Sequence, residues 1–328
     1  MPRFGPGILV TAAFIGPGSI ATASVAGANF GFVLLWALLF SLVATGILQE
    51  MAARLGLASG SGLSEALRST FTNPIISRGS VFLVVAAIGL GNAAYEAGNI
   101  SGAALGLQSI SGLPISVCAV ILGMISAILL GSSGYKILEP LLVILVLTMS
   151  VVFVVTMIMI DVNYHAVFRG LLVPSIPENS LLTVIALIGT TVVPYNLFLH
   201  ANLAKEKWKD VELKLALTES RSDIILSIGL GGLITLAVMS TSAVAFFGTD
   251  RLFSSASIAT QQEPVLGASA NIFFAFGLMA AGLTSAITAP LAAAYAVTGA
   301  LGWPSEFKDY RFRAIWLSVL SIGTGFAA

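Results

Sequence analysis

Polar chemistry in this chain is concentrated in two short stretches set inside aliphatic runs. The first is Gly16-Pro17-Gly18-Ser19 and the second is Thr190-Thr191-Val192-Val193-Pro194-Tyr195-Asn196. Proline removes a backbone hydrogen bond and glycine loosens a helix, so each stretch frees carbonyl and amide groups that a helix would otherwise pair. A polar side chain follows two places after each proline: Ser19 and Asn196. Neutral oxygens and backbone dipoles of this kind hold a small ion or a polar solute; they do not break bonds. The sequence shows no nucleophile–base pair, HExxH sequence, phosphate-binding loop or cluster of carboxylates, so it reads as no enzyme and calls for no cofactor. Nor does it carry the repeated filter or ring of charge that a channel would use.

Two ionisable residues accompany these stretches. Glu96 lies inside an apolar segment, and an ionisable group at membrane depth points to function by default. Asn92 and Asn99, four before and three after it, share nearly the same helical face. That arrangement suits proton carriage or a hydrogen bond to a neighbouring helix. Histidine changes charge near neutral pH, which makes His200 a second proton-carrying candidate, with a bridge between helices as the alternative. Glu139 beside Pro140 reads as an acidic first turn of a helix, and Glu50 with Arg54 as an i, i+4 ion pair. The lone cysteine, Cys118, reads as buried packing and excludes disulfides and Cys-rich metal sites within one chain.

The elements that position these residues follow from composition. The chain is 57% hydrophobic and 9% charged, with a mean hydropathy of +0.99, whereas soluble domains carry about a quarter charged residues. It is a membrane protein whose first partner is the lipid bilayer, and fifteen basic residues balanced by fifteen acidic ones argue against a nucleic-acid partner. A spanning helix needs about 20 apolar residues. Segments 7–27, 31–53, 80–107, 114–131, 138–160, 182–203, 224–248 and 268–298 qualify, and a ninth, 312–328, reaches about 24 Å against a core of about 30 Å. The sequence therefore reads as C-terminally incomplete. With the N-terminus in the cytoplasm, thirteen of the fifteen Lys and Arg fall inside and only Arg169 and Arg251 outside. The polar stretch 205–223 reads as including a short cytoplasmic helix, and Gly98, Gly102, Gly229, Gly231 and Gly232 as points of close helix approach. Pro17 falls mid-way along the first span and Pro194 mid-way along the sixth. Paired breaks in corresponding places point to an inverted-repeat secondary transporter, with repeats 1–160 and 182–328 and a site at the midplane.

Residues 5–60 resemble the first two spans of the Nramp metal-ion transporters, notably in Gln49-Glu50-Met51-Ala52-Ala53-Arg54-Leu55-Gly56. Thr191-Val192-Val193-Pro194-Tyr195-Asn196-Leu197-Phe198-Leu199-His200 is similar to that family's sixth span, and Ala281-Gly282-Leu283-Thr284-Ser285 to its eighth. The resemblance implies an all-α polytopic membrane protein of the LeuT-type inverted-repeat fold, carrying a divalent metal ion by alternating access and symport with protons. It also implies an integral multi-pass protein of a bacterial inner membrane or plasma membrane. The family's first break reads Asp-Pro-Gly-Asn and its sixth-span break Met-Pro-His. The Asp, Asn and Met side chains bind the metal with one backbone carbonyl. Carried over residue by residue, the Asp falls at Gly16, the Asn at Ser19, the Met at Val193, the His at Tyr195 and the carbonyl at Thr190. The resemblance thus implies a site lined by Gly16, Pro17, Gly18, Ser19, Thr190, Val193, Pro194, Tyr195 and Asn196, with Glu96 near the family's proton-pathway carboxylate and His200 at a family position.

The usual metal ligands are replaced at Gly16, Ser19 and Val193. A carboxylate offsets the cost of stripping water from a divalent ion and a thioether favours softer metals; glycine and valine supply neither. Three readings follow. A hydrated ion such as Mg²⁺ fits neutral oxygens better than Mn²⁺ or Fe²⁺ does. A small organic solute, an amino acid or carboxylate, fits the electropositive helix end after Pro17, with Tyr195 against its organic part. A transport-dead or sensor-like homologue would bind nothing there.

Overall fold

The computed structural model describes residues 16–132, 144, 148, 151–249, 253, 263, 267 and 270–328. Expectations that fall on residues 7–15, on Glu139 and on the starts of the fifth and eighth segments lie outside the described residues. Among the described residues every regular element is helical. In chain order they are α1 Pro17–Phe30, α2 Leu35–Ser59, α3 Leu63–Thr70, α4 Pro74–Val84, α5 Gly91–Ser111 and α6 Ile115–Gly131, then α7 Tyr164–Leu172, α8 Leu181–Thr191, α9 Pro194–Lys207, α10 Leu213–Phe246, α11 Ala270–Leu301 and α12 Tyr310–Ala327. Residues 151–159 are also helical. A π-helical turn, Val85–Leu90, joins α4 to α5, so Pro74–Ser111 runs as one 38-residue rod. Such turns frequently mark functional stretches of a helix, and this one ends two residues before Asn92.

Among the described residues five helical stretches are long and apolar enough to cross a membrane: Leu35–Ser59, Pro74–Ser111, Leu181–Lys207, Leu213–Phe246 and Ala270–Leu301. The packing is reciprocal. α1 lies mainly on α10, and α2 on α9 and α10 alike, while α5 packs on α11 and α12. If α1 corresponds to α8 with α9, and α2 to α10, the first contact maps onto the second, as an inverted repeat requires. Small residues permit the closest approaches. A Cβ at Gly102 would overlap Pro17, and one at Gly232 would overlap Leu42, whereas Gly98 and Gly229 have nothing within 4 Å. Gly98 and Gly229, expected at contacts, therefore face open space.

Of the stretch 205–223, in which a short cytoplasmic helix is expected, residues 205–207 close α9 and residues 213–223 are the start of α10, which runs unbroken for 34 residues. No proline or glycine stands between Leu213 and Ile228 to end a turn. At 1.5 Å per residue α10 is about 50 Å long, well beyond an apolar core of about 30 Å. Its projecting end sets Arg221 against Glu50 of α2, at 2.9 Å and 3.1 Å, while Arg54 is 4.0 Å away. Glu50 is therefore chiefly a tie between helices. Both side chains are partly exposed, so Arg221→Ala is expected to cost about 0.2–1 kcal/mol. The thermal unfolding midpoint should fall by about 1–3 °C in a detergent melt.

Candidate functional site

The start of α1 faces the break between α8 and α9. α1 begins at Pro17, with Gly16 extended before it (φ −92°, ψ 175°). α8 stops at Thr191, Val192 and Val193 leave the helical path, and α9 restarts at Pro194. Proline suits a first helical position, where its missing N–H would find no partner anyway. The Ser19 hydroxyl donates to the Thr190 carbonyl at 3.3 Å, which joins the start of α1 to the end of α8. Terminal carbonyls of a helix lack intrahelical partners, and here three of them meet hydroxyls from three different helices. Tyr95 of α5 donates to Gly189 at 3.5 Å, Ser19 of α1 to Thr190, and Thr45 of α2 to Thr191 at 3.3 Å. Each carbonyl keeps a second lone pair, and the end of α8 carries the negative pole of its dipole. This is an oxygen-rich edge suited to a cation.

The residues expected to line the site divide into two groups. Gly16, Pro17, Ser19 and Thr190 come together at the break, and Gly18 is exposed with nothing within 4 Å of its Cβ direction. Pro17 seats in the notch left by Gly102 of α5. Asn196, on the first turn of α9, is 2% exposed, and neither atom of its amide has a hydrogen-bond partner among the described residues. Val193 and Tyr195, in contrast, turn into the apolar core, where the Tyr195 ring meets Tyr95 edge to face at 5.5 Å.

Glu96 is fully buried. Asn99 Nδ2 donates to its Oε2 at 3.3 Å, and its Oε1 has no partner among the described residues. Gly323 of α12 backs it closely: a Cβ there would lie 2.5 Å from Glu96 Cγ. Asn92 does not join this pair. It donates to the Ala289 carbonyl of α11 at 2.9 Å, beside Pro290, which interrupts that helix's hydrogen-bond ladder. His200 lies four residues beyond Asn196 on the same face, fully buried, with neither ring nitrogen paired among the described residues. Tyr95, Thr45 and Ser285 were not singled out from sequence as site residues. Thr45 is one hydroxyl in an aliphatic run and Tyr95 stands beside the more conspicuous Glu96, so neither carries a signal of its own.

A family model described as natural resistance-associated macrophage protein-like matches residues 7–328. The chain belongs to the Nramp family. Nramp proteins are transporters rather than enzymes. Among similar proteins is the divalent metal cation transporter MntH of Yersinia pestis, 29% identical over 300 residues, which are 90% of this chain and 72% of that one. MntH of Chromohalobacter salexigens is 30% identical over 301 residues, 88% and 68% of the two chains. A manganese transporter from Eremococcus coleocola shares the fold at a TM-score of 0.77 and 22% identity, over 97% of this chain and 69% of that one. Mhp1, a nucleobase-cation-symport-1 family transporter, shares it at 0.64 and 15% identity, over 98% and 71%. This Nramp chain thus has the LeuT-type architecture, with the start of α1 in contact with the end of α8. Among the described residues no group of three or more His, Cys, Asp or Glu is placed to hold a metal ion.

Proposed function

We infer that this Nramp chain is a secondary transporter that carries a divalent metal ion by alternating access between its two helix breaks. The observation that carries this reading is the Ser19–Thr190 hydrogen bond, which brings the freed carbonyls of α8 to the start of α1. The names of the MntH relatives and of the manganese transporter support the substrate class. The donors at hand are neutral: the Ser19 hydroxyl, the Thr190 carbonyl and the buried Asn196 amide. Neutral oxygens compensate poorly for complete dehydration of a divalent ion. Mg²⁺ gives up water reluctantly and is commonly held through the waters it keeps, so a hydrated Mg²⁺ suits this donor set better than bare Mn²⁺ or Fe²⁺. The same reading places the N-terminus in the cytoplasm and gives proton movement to Glu96 and His200.

Counterflow of isotopically labelled Mg²⁺ into proteoliposomes preloaded with unlabelled Mg²⁺ tests the reading. Saturable counterflow is expected, and its absence from folded, reconstituted protein would refute carriage of this ion. Ser19→Ala removes one donor and the contact between the breaks, and is expected to lower Mg²⁺ affinity about tenfold, corresponding to about 1.4 kcal/mol. Glu96→Gln keeps the shape but cannot carry a proton. It is expected to leave Mg²⁺ affinity within about threefold while abolishing stimulation of uptake by an inward proton gradient.

A further inference from the structure

We propose that Ser285 of α11 supplies a substrate-facing oxygen in the place that a side chain at position 16 would otherwise fill; this rests on the divalent-cation reading above. A Cβ built on Gly16 would lie 2.8 Å from Ser285 Oγ, 3.5 Å from Ser285 Cβ and 3.5 Å from Asn99 Oδ1. The first distance is shorter than carbon and oxygen tolerate, so a side chain at 16 and the Ser285 hydroxyl in its present rotamer exclude each other. Two helices besides α1 therefore reach the break with oxygen: α11 through Ser285 and α5 through Asn99. Both residues are buried, Ser285 completely, and a buried hydroxyl next to a freed helix end is a low-entropy donor, already fixed by its packing. Asn99 also holds Glu96 through its Nδ2, so its Oδ1, on the opposite side of the amide, connects the break with the buried carboxyl. Ser285 and Gly16 act as an exchange pair: an oxygen of the facing helix stands where a side chain at position 16 would otherwise be, and it carries no charge.

The test is a double-mutant cycle on Mg²⁺ affinity, measured by titration calorimetry on the purified full chain. Ser285→Ala deletes the oxygen, and Gly16→Ala turns it away by occupying its space. Each is expected to weaken Mg²⁺ binding about tenfold. Because both remove the same oxygen, the double variant should also be weakened about tenfold rather than a hundredfold, the non-additivity expected of residues in contact. Gly98→Ala, one helix turn from Tyr95 with nothing within 4 Å, controls for an added methyl and should bind as the unaltered chain does. Unchanged affinity in Ser285→Ala, or additive losses, overturns the exchange pair while leaving the cation reading intact. Failure of the unaltered chain to bind Mg²⁺ or Mn²⁺ overturns both. Should Ser285→Ala misfold, as judged by its elution profile, Gly16→Ala against Gly16→Ser decides. A hydroxyl restored from position 16 should recover at least half of the tenfold loss on a logarithmic scale, and no recovery contradicts the proposal.

Discussion

The double variant Gly16→Asp with Ser285→Gly is expected to bind Mn²⁺ about a hundredfold more tightly than the unaltered chain, a gain of about 2.7 kcal/mol. A carboxylate at the start of α1 would add the charge that the neutral donors lack. Hydrogen bonds and ligations that involve a charged group contribute roughly twice what neutral ones do. Position 16 is also the N-cap of α1, where aspartate is favoured and its charge meets the positive end of the helix dipole. The helix is thus prepared to accept it. Removing the Ser285 side chain makes room, because a Cβ at 16 would otherwise meet Oγ at 2.8 Å. Gly16→Asp alone should gain less, about tenfold, since Ser285 must first turn away. Competition between Mn²⁺ and a fluorescent metal indicator reads both variants, and equal affinities in all three proteins would place the break in a different geometry.

Gly102→Val is expected to be the most damaging single change to the architecture of the break. Even a Cβ at this position overlaps the Pro17 ring, and that ring is tied to the backbone at both ends, so α1 and α5 would have to part. Overpacking of this kind costs about 1–3 kcal/mol, which should lower the melting temperature by about 3–9 °C and reduce Mg²⁺ counterflow at least tenfold. Gly98→Val, one turn earlier on α5, meets nothing within 4 Å and should shift the melt by no more than about 1 °C. A similar loss in both variants would mean that valine is disfavoured in α5 generally, with no special role for the Pro17 notch.

The helix starts at Pro17 and Pro194 were legible in sequence because proline acts locally: each residue begins its helix, α1 or α9, where its missing N–H would find no partner. Apolar runs likewise mark the five described stretches that are long enough to cross a membrane, since hydropathy and length determine what a bilayer accepts. Contacts between helices were not legible. Nothing in the run around Thr45 shows that its hydroxyl meets the end of α8, 146 positions away. Glu50 and Arg54 satisfied a local spacing rule, yet the shorter bond goes to Arg221 through the packing of α10 on α2. The polar stretch after span six shows the same limit: its charges mark where the chain leaves the membrane, whereas α10 already begins at Leu213 within it. Of the expected site, Ser19 and Thr190 meet as the paired breaks suggested, whereas Val193 and Tyr195 stand in line with the others in sequence but turn into the core.

The central claim is that neutral oxygens at two apposed helix breaks hold a hydrated divalent ion. Calorimetric titration of the purified chain with Mg²⁺, Mn²⁺ and a mixture of amino acids, side by side in one buffer, tests it most directly. Saturable binding of Mg²⁺, at least as tight as that of Mn²⁺ and weakened by Ser19→Ala, is the result predicted. Tight binding of Mn²⁺ with Mg²⁺ excluded, or binding of an amino acid with neither metal bound, would contradict it.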